Sequence, residues 1–200
     1  MKGNPELIDT LNDLLASELA AINQYMVHAE MAEDWGYERL SKNFKTRSIT
    51  EMTHAERLIE RILFLEGTPI VSNLDDIHIG ATIPQQVDND HASELTAIKM
   101  YNEAIVQAGN VLDYATRDIL EAILRDEDKH LDELEELQDQ IEQMTLPTFL
   151  RAAEVQTRPG LPPPRPAASL FAPGGLSESL PDPFTRVTSP LPGPYLARLR

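Results

Sequence analysis

An internal repeat constrains the fold of this 200-residue chain more than any other feature of its sequence. Residues 18–25 (ELAAINQY) align with residues 94–101 (ELTAIKMY) at an offset of 76, and five of the eight positions are identical. At the same offset, EMTH at 51–54 aligns with EDKH at 127–130. Each half therefore carries Glu-x6-Tyr followed by Glu-x-x-His. The shared offset predicts two related units with the same geometry.

Apolar residues recur at helical spacing through the first three quarters of the chain, and no segment alternates as a strand would. Asn4-Pro5 is a plausible start for the first helix, Trp35-Gly36 ends it, and Gly67-Thr68-Pro69 ends the second. Thr82-Ile83-Pro84-Gln85 fits a capping box that opens a third helix, and Asp113 can cap a fourth. The predicted helices cover about 5–34, 38–66, 82–109, 113–144 and 147–153.

The connections between these helices predict the topology. The first and second helices, like the third and fourth, are joined by only a few residues, so each pair forms an antiparallel hairpin. Residues 67–81 can extend to about 50 Å at ~3.3 Å per residue, whereas a helix of about 28 residues is about 42 Å long. This linker can therefore cross the whole bundle. The fold predicted is all-α: a ferritin-like four-helix bundle with one long crossover and a short fifth helix.

The repeated Glu and His residues are predicted to lie at one level of the bundle. In each hairpin, the Glu of the first helix and the Glu-x-x-His of the second are about equidistant from the turn, and Glu and His three residues apart share a helix face. The four glutamates also lie on apolar stripes, where a carboxylate is costly unless it is paired or bound to metal. The predicted metal ligands are Glu18, Glu51, His54, Glu94, Glu127 and His130.

This ligand set predicts a dinuclear metal site. A Glu on each of two helices, with Glu-x-x-His on each of the other two, is the pattern of di-iron and di-manganese carboxylate bundles. Four carboxylates balance two divalent ions, and oxygen and nitrogen ligands without thiolate suit iron or manganese. We expect oxidation of two Fe(II) ions by O2 or peroxide, with a bridging oxide balancing the charge of the ferric product.

Composition excludes several other classes of protein. The chain has no cysteine, which excludes disulfides, thiolate zinc sites and cysteine nucleophiles. Its formal net charge of −16 disfavours binding to nucleic acid or anionic lipid. The sequence starts without a leader-like apolar segment and contains no apolar run long enough to span a membrane. These features predict a cytoplasmic protein that binds neither nucleic acid nor membrane.

Residues 157–200 differ in composition from the rest of the chain. They hold 11 of the 15 prolines, with 5 basic and 2 acidic residues. We therefore predict a working domain over 1–156 and a disordered Pro/Gly-rich extension over 157–200. Three interpretations of the extension remain open: an inert tail, a cloning or frame artefact, or a peptide that binds a partner. Phe184–Arg200 loosely resembles the terminal peptides that load ferritin-like cargo into encapsulin shells.

Residues 1–156 closely resemble bacterioferritin. The resemblance rests on MKGNPELIDTLNDLL, AINQY, the DWG turn, EMTH followed by RLIERILFLEG, and the D-E-x-x-H of the fourth helix. It implies a shell of 24 subunits, a ferroxidase centre in each bundle and a ferric mineral stored inside. It also implies that Glu51 and Glu127 bridge two irons, while Glu18 and Glu94 are terminal ligands. Tyr25 matches the family's tyrosine beside the centre, where its hydroxyl would orient a ligand carboxylate.

Met52 gains a ligand role only from this resemblance. Spacing alone favours a gap-filling core methionine, about 100° round the helix from Glu51. Bacterioferritins place this methionine at a twofold dimer interface, where two copies hold one haem iron. The resemblance therefore implies haem b bound by Met52 and shared between two subunits. Asp90, one turn before Glu94, is a candidate acceptor for a ligand histidine.

Other functions remain open on the sequence. A rubrerythrin-like peroxidase and a manganese catalase use similar carboxylate bundles, although complete rubrerythrins add a cysteine-ligated iron that this cysteine-free chain could not hold. A haem-carrying shell subunit without significant ferroxidase activity is a further alternative. A DNA-protecting mini-ferritin is disfavoured, because its iron site lies between subunits and the charge of this chain is unfavourable for DNA.

Overall fold

The computed structural model describes residues 2–154, and every regular element in that range is a helix. The order is α1 (Pro5–Asp34), α2 (Glu38–Phe64), α3 (Ile83–Asn110), α4 (Tyr114–Met144) and α5 (Leu146–Ala153). The all-α fold with four long helices and a short fifth is therefore confirmed. Within the described range, none of the helices is long and apolar enough to cross a membrane. The predicted extension over 157–200 lies outside the described residues.

The helices begin where capping chemistry predicts. Asn4 Oδ1 accepts from Leu7 N at 3.0 Å at the start of α1, and Thr82 Oγ1 accepts from Gln85 N at 3.4 Å at the start of α3. These bonds satisfy backbone N–H groups that the first helical turn leaves without partners. The C-terminal end of α2 comes two residues earlier than predicted, because Glu66 adopts a left-handed conformation with φ of 63°.

The crossover (residues 65–82) runs along α1 in the same direction as that helix. Backbone N–H groups of the crossover donate to α1 in matching order: Ile70 to Asn12, Asp75 to Ala16, His78 to Gln24 and Gly80 to His28. The linker therefore carries the chain from the end of α2 back to the level where α1 ends. As a result α3 runs antiparallel to α1, as the predicted long crossover requires.

Gly80 closes the crossover against the start of α3. A Cβ at this position would lie 2.3 Å from the backbone nitrogen of Gln86, so a larger residue would force the backbone apart. The Gly80 carbonyl accepts from Gln86 Nε2 at 3.3 Å, and its N–H donates to His28 Nε2 at 3.1 Å. These contacts fix the last residues of the crossover to both α1 and α3.

The apolar core consists of two clusters separated by a polar layer. One cluster joins the first halves of α1 and α4 to the second halves of α2 and α3, and it includes Leu11, Leu58 and Ile123. The other joins the second halves of α1 and α4 to the starts of α2 and α3 and to α5, and it includes Phe44 and Leu134. Between them, in the middle of each long helix, lie buried Glu and His side chains. Burying such groups is costly unless they are paired or bound to metal, so this layer is the candidate functional site.

Candidate metal centre

The structure brings the six predicted metal ligands together in the polar layer. Each is almost completely buried, with at most 4% of its surface exposed. Their oxygen and nitrogen atoms form two overlapping groups, and within each group the ligand atoms lie within 4.8 Å of one another. Glu51 and Glu127 belong to both groups; Glu18 and His54 complete the first, and Glu94 and His130 the second. Two metal ions could be held by this arrangement.

Glu51 and Glu127 each direct one carboxylate oxygen toward His54 and the other toward His130. Nδ1 of His54 lies 2.8 Å from Glu51 Oε2 and 3.0 Å from Glu127 Oε1. Nδ1 of His130 lies 3.1 Å from Glu51 Oε1 and 3.0 Å from Glu127 Oε2. The two oxygens of each carboxylate therefore face different histidines. This is the geometry that a carboxylate needs to bridge two ions.

Glu18 and Glu94 each approach only one histidine. Glu18 Oε2 is 3.7 Å from Nδ1 of His54, and Glu94 Oε1 is 3.8 Å from Nδ1 of His130. The layer thus contains two equivalent positions, each with one imidazole nitrogen, one carboxylate of its own and two shared carboxylates. The ligand types and their number suit iron or manganese, because all donors are oxygen or nitrogen.

Three of the buried ligand atoms lack a hydrogen bond within the described part of the chain. Both carboxylate oxygens of Glu51 and Nδ1 of His54 are buried without a hydrogen-bond partner among the described residues. They lie at ion-pair distances from one another, but their orientations do not satisfy hydrogen-bond geometry. Buried polar atoms without partners are rare and costly. Two cations between these atoms would compensate them, so the residues present fit a metal pair.

Without metal, the centre retains protons. Burial raises the pKa of Glu51 to about 8, and nearby Glu127 and Glu18 add to the shift. Burial also raises the pKa of Glu18 and places that of Glu94 well above its ordinary value. For His54, burial lowers the pKa, but the close carboxylates of Glu127, Glu18 and Glu51 outweigh burial and raise the value to about 12. Metal binding must therefore displace protons.

The metal-free protein is expected to lose stability as the pH rises. Glu51 has an ordinary pKa of 4.5 and about 8 in the folded protein, so between these values the unfolded chain releases a proton that the folded protein keeps. Unfolding then becomes easier by about 1.4 kcal/mol per pH unit for each such proton. The raised pKa of His54 acts in the same direction above its ordinary value of 6.5.

Thermal unfolding of the metal-free protein between pH 5 and pH 8.5 measures this effect. We expect Glu51→Gln to flatten the pH dependence, because it removes one of the groups that lose a proton. Glu56→Gln, at an exposed position of the same helix, serves as the control and should leave the slope unchanged. Equal slopes for Glu51→Gln and the wild type would contradict the account of the buried carboxylates.

Three further side chains hold the ligands in place. The Tyr25 hydroxyl donates to Glu94 Oε1, and the Tyr101 hydroxyl donates to Glu18 Oε1. Nε2 of His54 lies 3.3 Å from Asp126 Oδ2, so a ring proton there orients Nδ1 toward the centre. Of these three side chains, only Tyr25 is predicted from the sequence. The repeat pairs Tyr101 with Tyr25, whereas Asp126 has no acidic counterpart in the first half of the repeat.

Asp90 does not act on a ligand histidine, and the expectation that it could is wrong. Its oxygens lie 2.9 and 3.1 Å from Nδ1 of His28, and it accepts from Gln24 Nε2 at 2.8 Å. Since Nε2 of His28 accepts from Gly80 N, the ring proton lies on Nδ1 and is donated to Asp90. Asp90 therefore secures the crossover one turn away from the metal centre.

A cavity of about 520 Å³ between α1, α3 and the crossover reaches the centre. All four ligand glutamates line it. On the crossover it is lined by Asp75, Asp76 and His78, which are exposed. Acidic side chains at this position attract cations to the cavity. The cavity therefore offers a path by which a metal ion could reach the centre from solvent.

Met52 lies apart from this centre, on the outer surface of α2. Its side chain is 51% exposed, although it follows the buried Glu51 directly. Ile49 on the same helix is 56% exposed, and Met26 on α1 is 38% exposed. Met52 is therefore not the gap-filling core methionine that spacing alone favours. Its thioether is available on the surface of the single chain.

The similarity of this chain to known proteins agrees with its fold. The ferritin-like domain family matches residues 8–144. The chain is 43% identical over 135 residues to a bacterioferritin of Rhodobacter capsulatus, covering 68% of this chain and 84% of the relative. It is 39% identical over 144 residues to a bacterioferritin of Mycolicibacterium paratuberculosis, covering 70% and 91%. A bacterioferritin of Streptomyces coelicolor is 37% identical over 159 residues, covering 80% and 95%.

Proposed function

This chain belongs to the bacterioferritin family of ferritin-like iron-storage proteins, and from that premise we propose that it is a ferroxidase. It oxidises Fe(II) with O2 or peroxide at the buried metal centre and deposits the ferric product as a mineral inside a homo-oligomeric shell. One observation carries this proposal: six buried ligands form two overlapping sets that share two carboxylates.

Each ligand has a role in this proposal. Glu51 and Glu127 would bridge two iron ions, because each carboxylate faces both histidines. Glu18 and His54 complete one iron position, and Glu94 and His130 complete the other. The four carboxylates carry a charge that balances two Fe(II) ions and favours the more highly charged Fe(III). Tyr25 and Asp126 orient ligands without binding iron themselves.

The reaction takes two electrons from the substrate iron. Two Fe(II) ions become two Fe(III) ions, and the two electrons reduce O2 with two protons to H2O2, or reduce H2O2 with two protons to two water molecules. Fe(II) reaches the centre through the cavity beneath the crossover, whose acidic rim attracts it. The buried carboxyl groups lose their protons when the iron binds, since metal ligands must be deprotonated.

Controlled oxidation of added iron tests this function. Metal-free protein is loaded with Fe(II) without oxygen, and the absorbance of ferric iron is followed after air is admitted. We expect a rapid phase equal to two irons per chain, followed by iron that stays in solution and elutes with a large protein particle. Iron that precipitates as it does in protein-free buffer would contradict the proposal. Oxygen release from H2O2 with manganese bound would favour a manganese catalase.

We also propose that Met52 binds haem b between two subunits of the shell. The resemblance to bacterioferritin implies that this shell has 24 subunits. Two observations support the fit. The thioether of Met52 is exposed, and Ile49, which lies on the same face of α2 three residues earlier, is also an exposed apolar side chain. A twofold axis beside Met52 would supply the same ligand from both sides of one haem iron. Haem, when bound, supplies one-electron transfer.

Deleting residues 157–200 is expected to leave rapid Fe(II) oxidation unchanged. We propose that the working domain ends near residue 156, because all six metal ligands and both core clusters lie within residues 2–154. The truncated and full-length proteins should therefore show equal initial rates per chain in the iron assay. Loss of the rapid phase in the truncated protein would place part of the machinery in 157–200.

A further inference from the structure

Two tyrosines connect the halves of the bundle at the level of the metal centre. Tyr25 on α1 donates to Glu94 on α3, and Tyr101 on α3 donates to Glu18 on α1. In both pairs the residue numbers add up to 119, as expected when the two residues of each pair are level with one another on antiparallel helices. Each half of the repeat therefore holds the terminal glutamate of the other half.

Tyr101 does more than fill the core. Its ring packs in the apolar cluster with Leu11, Leu58 and Ile123, and only 1% of its surface is exposed. A phenylalanine would provide the same ring without a polar atom. The hydroxyl, in contrast, loses its contact with water on burial and meets Glu18 Oε1 instead. Its presence is therefore explained by the carboxylate it contacts and not by packing.

Both hydroxyls remain donors over the ordinary pH range. Burial raises the pKa of Tyr25 well above its usual value, and the charges of Glu94 and Asp90 raise it further. Burial likewise raises the pKa of Tyr101, together with the charges of Glu18 and Glu127. A phenol that keeps its proton donates a charge-assisted hydrogen bond to a carboxylate.

We propose that Tyr101 is a positioning residue that fixes Glu18 as a single-oxygen ligand of one iron. Oε1 of Glu18 is occupied by the Tyr101 hydroxyl, while Oε2 points toward Nδ1 of His54. The carboxylate therefore offers one oxygen to the metal and cannot rotate to chelate it with both. This would leave a coordination position open for the oxidant. The inference rests on the proposed function.

Cobalt(II) tests this role without any turnover. The full-length, metal-free protein is titrated with Co(II) without oxygen, and the visible absorption of the bound ion reports its coordination number and symmetry. The wild type should bind two ions per chain. In Tyr101→Phe, one of the two ions should bind about 10–100-fold more weakly, the usual cost of losing the partner of a metal ligand. Roughly half of the visible spectrum should change with it.

Two further variants complete the test. Tyr25→Phe should reproduce the effect on one ion, and the double variant should affect both. Tyr114→Phe, at a position that is 60% exposed on α4, is the control and should bind Co(II) as the wild type does. If the wild type binds two ions and Tyr101→Phe has the same affinities and spectrum, the positioning role is wrong while the proposed function stands. If the wild type binds no pair of ions, both fall.

Discussion

Glu51→Gln is expected to slow the rapid phase of Fe(II) oxidation by about 100-fold or more, because even outer partners of metal ligands are worth about 10–100-fold. Glu51 approaches both histidines, at 2.8 Å for His54 and 3.1 Å for His130, so its loss weakens both iron positions together. The amide keeps the size of the side chain but removes the charge and one good ligand atom. Stopped-flow absorbance of ferric iron measures the rate.

Glu18→Gln provides the matched comparison. Glu18 approaches only His54, so this variant should lose one iron position and keep the other. Metal titration should therefore give about one tightly bound ion per chain for Glu18→Gln and none for Glu51→Gln. Glu56→Gln, at an exposed position on the same helix, should behave as the wild type. Equal losses in the two ligand variants would contradict the assignment of Glu51 as a bridge.

Met52→Leu is expected to remove haem from the protein completely. Leucine keeps the apolar surface of α2 but has no sulfur to bind iron, and a symmetric site loses both of its ligands through one substitution. The absorbance ratio of the haem band to the protein band measures the effect after expression with added haem precursor. Rapid Fe(II) oxidation should persist, because Met52 is half-exposed while the six ligands are buried.

Met144→Leu is the control for this substitution. Met144 is 39% exposed at the end of α4, so it tests whether any surface methionine affects haem content. Haem content should match that of the wild type in this variant. Unchanged haem in Met52→Leu would disprove the ligand assignment, and haem loss accompanied by loss of helical circular dichroism would indicate unfolding instead.

The repeat predicted most of the centre because it combines two independent constraints. One offset relates Glu18 to Glu94 and also relates the two Glu-x-x-His pairs to each other. Two hairpins with the same geometry therefore have few ways to arrange these residues. Caps such as Asn4 and Thr82 then placed the helix starts within a residue. The length of the linker was enough to predict the crossover, since it needed only to exceed the length of the bundle.

The errors concern how the helices are rotated against one another. Asp90 shares a face with Glu94, and sequence spacing alone could not reveal that α1 presents His28 at that height. Asp126 is adjacent to a ligand, but its contact with His54 depends on the distance between α2 and α4. Tyr101 is different, because the repeat already paired it with Tyr25. The repeat alone is therefore enough to predict a second tyrosine beside the centre.

The most direct test of the central claim is the position of iron in a crystal. A crystal soaked with Fe(II) without oxygen, with data collected at the iron absorption edge, should give two anomalous peaks per chain. We expect one peak beside Nδ1 of His54, one beside Nδ1 of His130, and Glu51 and Glu127 between them. A single peak, or peaks located away from these six side chains, would show that the two-iron site and the oxidation assigned to it do not exist.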